Sequence, residues 1–238
     1  MKLFLPKQHG AWAMLIIPFW LGVAATKMVW QHIPFFVGWL LLYLATYPML
    51  FLFKRKKLSY YLKWTIIYLA PALLLLIVPL WYETRIFYFG ICMVPFFIVN
   101  AYYSSRNKDR AFGNDICAIL AFSIAGMASG FLAFEEITAN LILVFSSCIL
   151  FFVGSTFYVK SMIREKKNKF FKWISWCYHL FVPFVWLLLG EWLVCIAFIP
   201  SLIRAIGLYG KPLSAKKVGI YEIVNAVIFY LILVTRLI

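Results

Sequence analysis

Seven charges fall within thirteen positions of the stretch YVKSMIREKKNKFFKW (158–173), between Lys160 and Lys172. Lys160 and Arg164 are spaced by four, with Glu165 next to them. On a helix that spacing puts both cations on one face, where they could make charge-assisted hydrogen bonds to a phosphate or another anionic headgroup. Further upstream, Asn100, Tyr103, Ser104 and Asn107 follow i, i+3, i+4, i+7 spacing, with Arg106 among them. Lys7 and His9 stand just before the first long apolar run. Lys7, His9, Asn100, Arg106, Lys160, Arg164 and Glu165 are therefore the candidate ligand-binding residues, gathered around the mouth of one cavity whose apolar walls would hold a tail. The alternative is that the basic groups only anchor helices in the headgroup layer, at about 1 kcal/mol each. Lys166, Lys167, Lys169 and Lys172 fit that anchoring role.

No catalytic set is legible. There is no Walker loop, no H-E-x-x-H and no nucleophile–base pair at a recognisable spacing, so no catalytic residue is assigned. Cys92, Cys117, Cys148, Cys177 and Cys195 fall inside apolar runs without paired spacing and read as small packing residues. Of the three histidines, His32 falls in an outer loop, His9 lies at the inner surface and only His179 lies within a span. A bis-histidine haem needs two ligands at one depth, and the second is missing.

The elements that must position these groups are membrane helices. The 238-residue chain is 65% apolar and 20% aromatic, and only 13% of it is charged, about half the charge of an average soluble domain. Nine apolar runs, at roughly 10–27, 33–53, 63–81, 85–104, 115–134, 138–160, 171–189, 192–209 and 218–237, are each near the length needed to span a bilayer. The first run is followed by Lys27 with no small-residue cleavage pattern and is read as a retained helix. The seventh and eighth runs are separated only by GEW and form a tight hairpin. With nine spans, alternate connections share a side, and one side collects all but Lys27, Arg85 and Arg236 of the 23 Lys and Arg residues. That bias predicts a multi-pass protein of the cell membrane, its N-terminus cytoplasmic and its C-terminus extracytoplasmic. The net charge of +15 then reflects topology and anionic lipids, and no nucleic-acid partner is expected.

Within the spans, six helices carry interior prolines: Pro18, Pro48, Pro71 with Pro79, Pro95, Pro183 and Pro200. Each removes a helix hydrogen bond, which suits a bundle around a cavity, although proline is in any case commoner in membrane helices. The fifth run contains SIAGMASG, whose Gly126, Gly130 and Ser123 make a stripe that lets another helix approach closely. Asn100 lies about 22 Å along its helix from Arg85, a depth at which an unpaired amide is costly. Asn114 and Asp115 are placed to cap the fifth helix, and Glu165 to pair with Lys169 at i+4.

LPKQHGAWAMLIIPFWLG at the start of the chain, together with NAYYSSRNKDRAFGND and YVKSMIRE, resembles the YwiC-like family of bacterial membrane proteins over the whole chain. More distantly, the layout resembles the UbiA superfamily of membrane prenyltransferases. That resemblance implies nine spans, a cytoplasmic-side cavity and acidic motifs on the 2–3 and 6–7 connections. PKQHGAW…PFWLG is similar to the first helix of menaquinone-pathway members, FGND to a Gly-x-acid helix start, and VKSMIREKKNK to the acidic run ending the sixth helix. The departures are large. The 2–3 connection, FLFKRKKLSYY, has no acid, and on the 6–7 connection Lys166, Lys167 and Lys169 follow Glu165 where the next acid is expected. Hard cations need carboxylate oxygens, so no cofactor, and specifically no Mg²⁺, is expected.

The sequence therefore predicts a single all-α integral membrane domain, 1–238, with about nine transmembrane helices in a UbiA-like bundle. Its basic cytoplasmic mouth would bind an anionic amphipathic ligand, an isoprenoid or other lipid diphosphate, with the metal motif degenerate. The other readings are a structural or transport subunit of a membrane complex without catalytic activity, and a divergent prenyltransferase-like enzyme. Membrane lipids and membrane protein partners are the expected company.

Overall fold

The computed structural model describes residues 4–6, 9–54 and 57–238, the side chain of His9 excepted. The described residues form α1 (His9–Ala24), α2 (His32–Phe53), α3 (Leu58–Tyr82), α4 (Ile86–Ser105), α5 (Phe112–Phe134), α6 (Ala139–Val159), α7 (Lys169–Leu188), α8 (Trp192–Gly207) and α9 (Ala215–Leu237). A single π-helical segment, Lys160–Arg164, extends α6. No strand occurs among the described residues, and the protein is an all-α, multi-pass membrane protein. Among the described residues, seven helices are long and apolar enough to cross a bilayer. The other two, α1 and α8, have 16 residues each, about 24 Å at 1.5 Å per residue, short of a hydrocarbon core of about 30 Å. The nine helices that the sequence predicts are all present among the described residues, with α1 and α8 the shortest.

Residues Met1–Phe145 make one compact unit and Ser146–Ile238 another, the boundary falling within α6. In the first, α2 and α3 form an antiparallel hairpin and α5 packs against both α1 and α4. Leu15, Phe19, Phe35, Trp39, Phe122 and Leu132 are part of the core between these helices. The small-residue stripe of α5 faces α1. A Cβ placed on Gly22 of α1 would lie 2.0 Å from the Gly126 carbonyl oxygen, and one on Gly126 would lie 2.5 Å from that of Pro18. The Ser129 hydroxyl sits at the same contact, 2.7 Å from the Phe19 carbonyl and 2.8 Å from that of Gly126.

His32 is not an outer-loop residue. It opens α2 and is wholly buried. Its Nε2 donates to the Ser129 carbonyl at 2.8 Å, which leaves Nδ1 to accept the Val29 amide at 3.0 Å. One neutral tautomer satisfies both bonds and ties the start of α2 to α5. The capping expectation is also corrected. Helix α5 starts before Asn114 and Asp115, with Ala111 at the N-cap and no side-chain cap. Asn114 instead donates to the Asp109 carbonyl at 2.8 Å. Asp115 is left in the first turn, where a carboxylate complements the helix dipole.

Ion pairs join the connections on each side of this unit. Lys54 after α2 reaches Asp109 before α5 at 2.7 Å. On the opposite side, Arg85 bridges Glu83 at 2.7 Å and Glu135 at 2.6 Å. The Arg85 hydrogen bonds hold the Glu83 carboxyl down to about 2.

In the second unit, α8 packs between α7 and α9. Phe151 of α6 stacks on Phe229 of α9 with centroids 4.0 Å apart. The Tyr178 hydroxyl donates to the Leu150 carbonyl at 2.9 Å. The tight α7–α8 turn expected at GEW is present, with Gly190 at φ +78°, a conformation that costs glycine little. Beside it Glu191 accepts from Arg236 at 2.7 and 2.8 Å, and those bonds lower its pKa.

Candidate functional site

The charged stretch after α6 does not continue as a uniform helix. The Glu165 amide donates to the Lys160 carbonyl at 2.7 Å, the i→i+5 bond of a π turn, a feature found often at functional sites. The chain then breaks, and α7 starts at Lys169 with Asn168 as its N-cap, accepting from the Phe170 amide at 3.0 Å. Glu165 therefore does not share a helix with Lys169, as the i+4 expectation required. It accepts from Asn168 Nδ2 at 3.2 Å instead. Lys160 and Arg164 are also parted in environment, Lys160 being buried and Arg164 exposed. The connection forms an open depression of about 540 Å³ lined by Ile163, Arg164, Glu165, Lys166, Lys167 and Asn168, with Lys160 not among the lining residues.

The remaining expected residues lie in the first unit. Asn100 is half-buried on α4, and its Oδ1 has no hydrogen-bond partner among the described residues. Arg106 is exposed just past α4, its guanidinium 5.7 Å from the Tyr102 ring centre. The shared face expected of Asn100, Tyr103, Ser104 and Asn107 stops short, because α4 ends at Ser105 and Asn107 is left-handed at φ +54°. Lys7 and the His9 side chain lie outside the described residues.

A denser polar cluster, absent from that candidate set, lies inside the second unit. Arg204, which the charge bias counts among the basic residues of the connections, sits in the last turn of α8 with only 6% of its side chain exposed. Its Nη1 contacts Glu222 Oε1 of α9, and its guanidinium lies 4.1 Å from the centre of the buried Tyr158 ring of α6. One turn away, Asn225 of α9 donates to Ser201 of α8 at 2.9 Å, so two i, i+3 pairs run in parallel between these helices. On α7, His179 Nδ1 lies 2.6 Å from the Ser175 carbonyl. It must therefore carry the proton, leaving Nε2 a bare acceptor. His179 Nε2, Tyr158 Oη, Asn225 Oδ1, and Arg204 Nε and Nη2 have no hydrogen-bond partner among the described residues.

One signal could have found this cluster. Glu222 interrupts an apolar run, and a carboxylate inside a membrane helix needs a partner. Arg204 was the available cation, but a residue near a predicted span end is ambiguous between anchor and interior.

Among the described residues, no three His, Cys, Asp or Glu side chains converge as metal ligands. The one carboxylate of the 6–7 connection, Glu165, faces lysines and an asparagine, a donor set that does not fit Mg²⁺.

Comparison with known proteins places the chain. The family described as "YwiC-like protein" matches residues 5–130. The protein is 42% identical over 229 residues, 96% of each chain, to a Bacillus subtilis (strain 168) protein described as "Uncharacterized protein YwiC". It is 40% identical over 238 residues, the full length of both chains, to an uncharacterized protein of Haemophilus influenzae. No solved structure matches. A match over more than half the sequence, with relatives at this identity along nearly its whole length, means that the chain belongs to the YwiC-like family.

Proposed function

We propose that this multi-pass protein sits in the cell membrane with its basic connections in the cytoplasm. There it binds an anionic amphipathic ligand, an isoprenoid or other lipid diphosphate, at the basic end of α6. The observation that supports this most is the depression of about 540 Å³ after the π turn, whose lining includes Arg164, Lys166 and Lys167 against the single acid Glu165. An anionic headgroup there would meet a net positive wall and a helix end rearranged away from regular α geometry, while its tail stays in the hydrocarbon. Lysine and arginine neutralise phosphate oxygens directly, so this reading needs no metal. The chemistry stops at binding, and no reaction is assigned.

Mass spectrometry of lipid co-purifying with the protein, followed by titration with farnesyl diphosphate, tests the reading. Alanine at Arg164, which lines the depression, is expected to weaken binding far more than alanine at Lys169 or Lys172, which do not line it, with expression unchanged. If all three variants behave alike, the stretch is a tether and the reading fails.

A further inference from the structure

Arg204 and Glu222 form an ion pair within apolar helices, which is hard to explain as a stabilising feature. Desolvating two charges offsets most of their attraction, and well-packed apolar residues in their place are often as stable or more so. Charged residues inside membrane helices more commonly mark a binding or transport site. The local geometry gives this pair more donor capacity than Glu222 uses. The carboxylate contacts Nη1, while Nε and Nη2 of the same buried guanidinium have no partner among the described residues. The Tyr158 ring at 4.1 Å fixes the guanidinium plane by a cation–π contact. The Tyr158 hydroxyl is a further donor with no partner among the described residues.

A planar fork with two unpartnered N–H groups matches two oxygens of a phosphate or carboxylate. We infer that Arg204 is a buried oxyanion receptor, that Glu222 acts on it as a stand-in anion, and that a phosphate-bearing ligand takes over the guanidinium from Glu222. This rests on the reading above that the protein binds an anionic amphipathic ligand, and it adds a buried site whose residues do not line the depression at 163–168.

The test is thermal unfolding of the full chain in dodecyl maltoside, titrated with dodecyl phosphate, with dodecanol as the uncharged control and inorganic phosphate as the headless one. Dodecyl phosphate should raise the Tm of the wild type, and dodecanol should not. The double variant Arg204→Met/Glu222→Met removes the pair without stranding a charge. It should unfold near the wild-type temperature and lose the response to dodecyl phosphate. Arg204→Lys keeps the charge but loses the fork, and should bind roughly 10- to 100-fold more weakly. Glu222→Gln should start less stable and bind dodecyl phosphate more tightly than the wild type, because the stand-in anion is gone. If the double variant responds as fully as the wild type, Arg204 is not the receptor, while binding at 163–168 stands. A response to inorganic phosphate equal to that for dodecyl phosphate supports the receptor but overturns the amphipathic ligand. No wild-type response to either phosphate overturns both.

Discussion

Replacing Gly22 with alanine should damage the first unit out of proportion to one added methyl group. The new Cβ would lie 2.0 Å from the Gly126 carbonyl oxygen and 2.3 Å from Ser129 Oγ. Ordinary van der Waals contact requires more than about 3.4 Å, so α1 and α5 would have to separate by more than 1 Å. Neither neighbour is the far end of a flexible side chain. One is helix backbone, and the other is a hydroxyl within 2.7 Å of the Phe19 carbonyl and 2.8 Å of the Gly126 carbonyl. Overpacking of this kind costs about 1–3 kcal/mol, and the lost Ser129 bond adds about 1 kcal/mol. Gly219 provides the control, because a Cβ there meets nothing within 4 Å. At an open helical position alanine is worth about 0.5–1 kcal/mol over glycine. Unfolding of Gly22→Ala and Gly219→Ala in mild detergent, each against the wild type, should therefore give shifts of opposite sign. Equal shifts, or a stabilised Gly22→Ala, would refute the close α1–α5 contact.

Three further outcomes are expected. Topology reporters fused at Lys56, Asp109, Lys167 and Lys216 should all report cytoplasm and one at Glu135 the exterior, and a cytoplasmic signal at Glu135 would break the proposed arrangement. Glu83 has its pKa lowered by Arg85 to about 2, so the stability it contributes is fully present above the ordinary carboxylate range and lost as pH falls from about 4.5 through about 2. Arg85→Gln should flatten that part of a pH–stability curve, and a curve unchanged by the substitution would show that the pair does not act this way. Farnesyl diphosphate binding should survive EDTA, and an affinity that collapses on chelation and returns with Mg²⁺ would show that Asp109, Asp115 or Glu165 holds a metal.

The residues alone determined the class of the molecule. Apolar runs near bilayer length admit only helices in a chain this poor in charge, because unpaired backbone groups cannot face lipid, and the helices fall close to the runs that mark them. The α5 stripe was legible for a similar reason: glycines four apart make one helix face, whatever packs on it. That the helix packed there is α1, separated from α5 by three intervening helices, followed only from the tertiary structure. The lengths of α1 and α8 were overestimated because hydropathy does not register where a helix stops. The connection between the sixth and seventh runs is legible from its charges, but the π turn at its start and the Asn168 cap, which put Glu165 and Lys169 on separate elements, show only in the structure. The candidate site divided in the same way. Basic residues at span ends announced a charged side, since their chemistry is visible one residue at a time. The burial of Arg204 against Glu222 and Tyr158 depends on three helices meeting at one depth. That relation joins positions 158, 204 and 222, which no local spacing connects, and only packing could decide it.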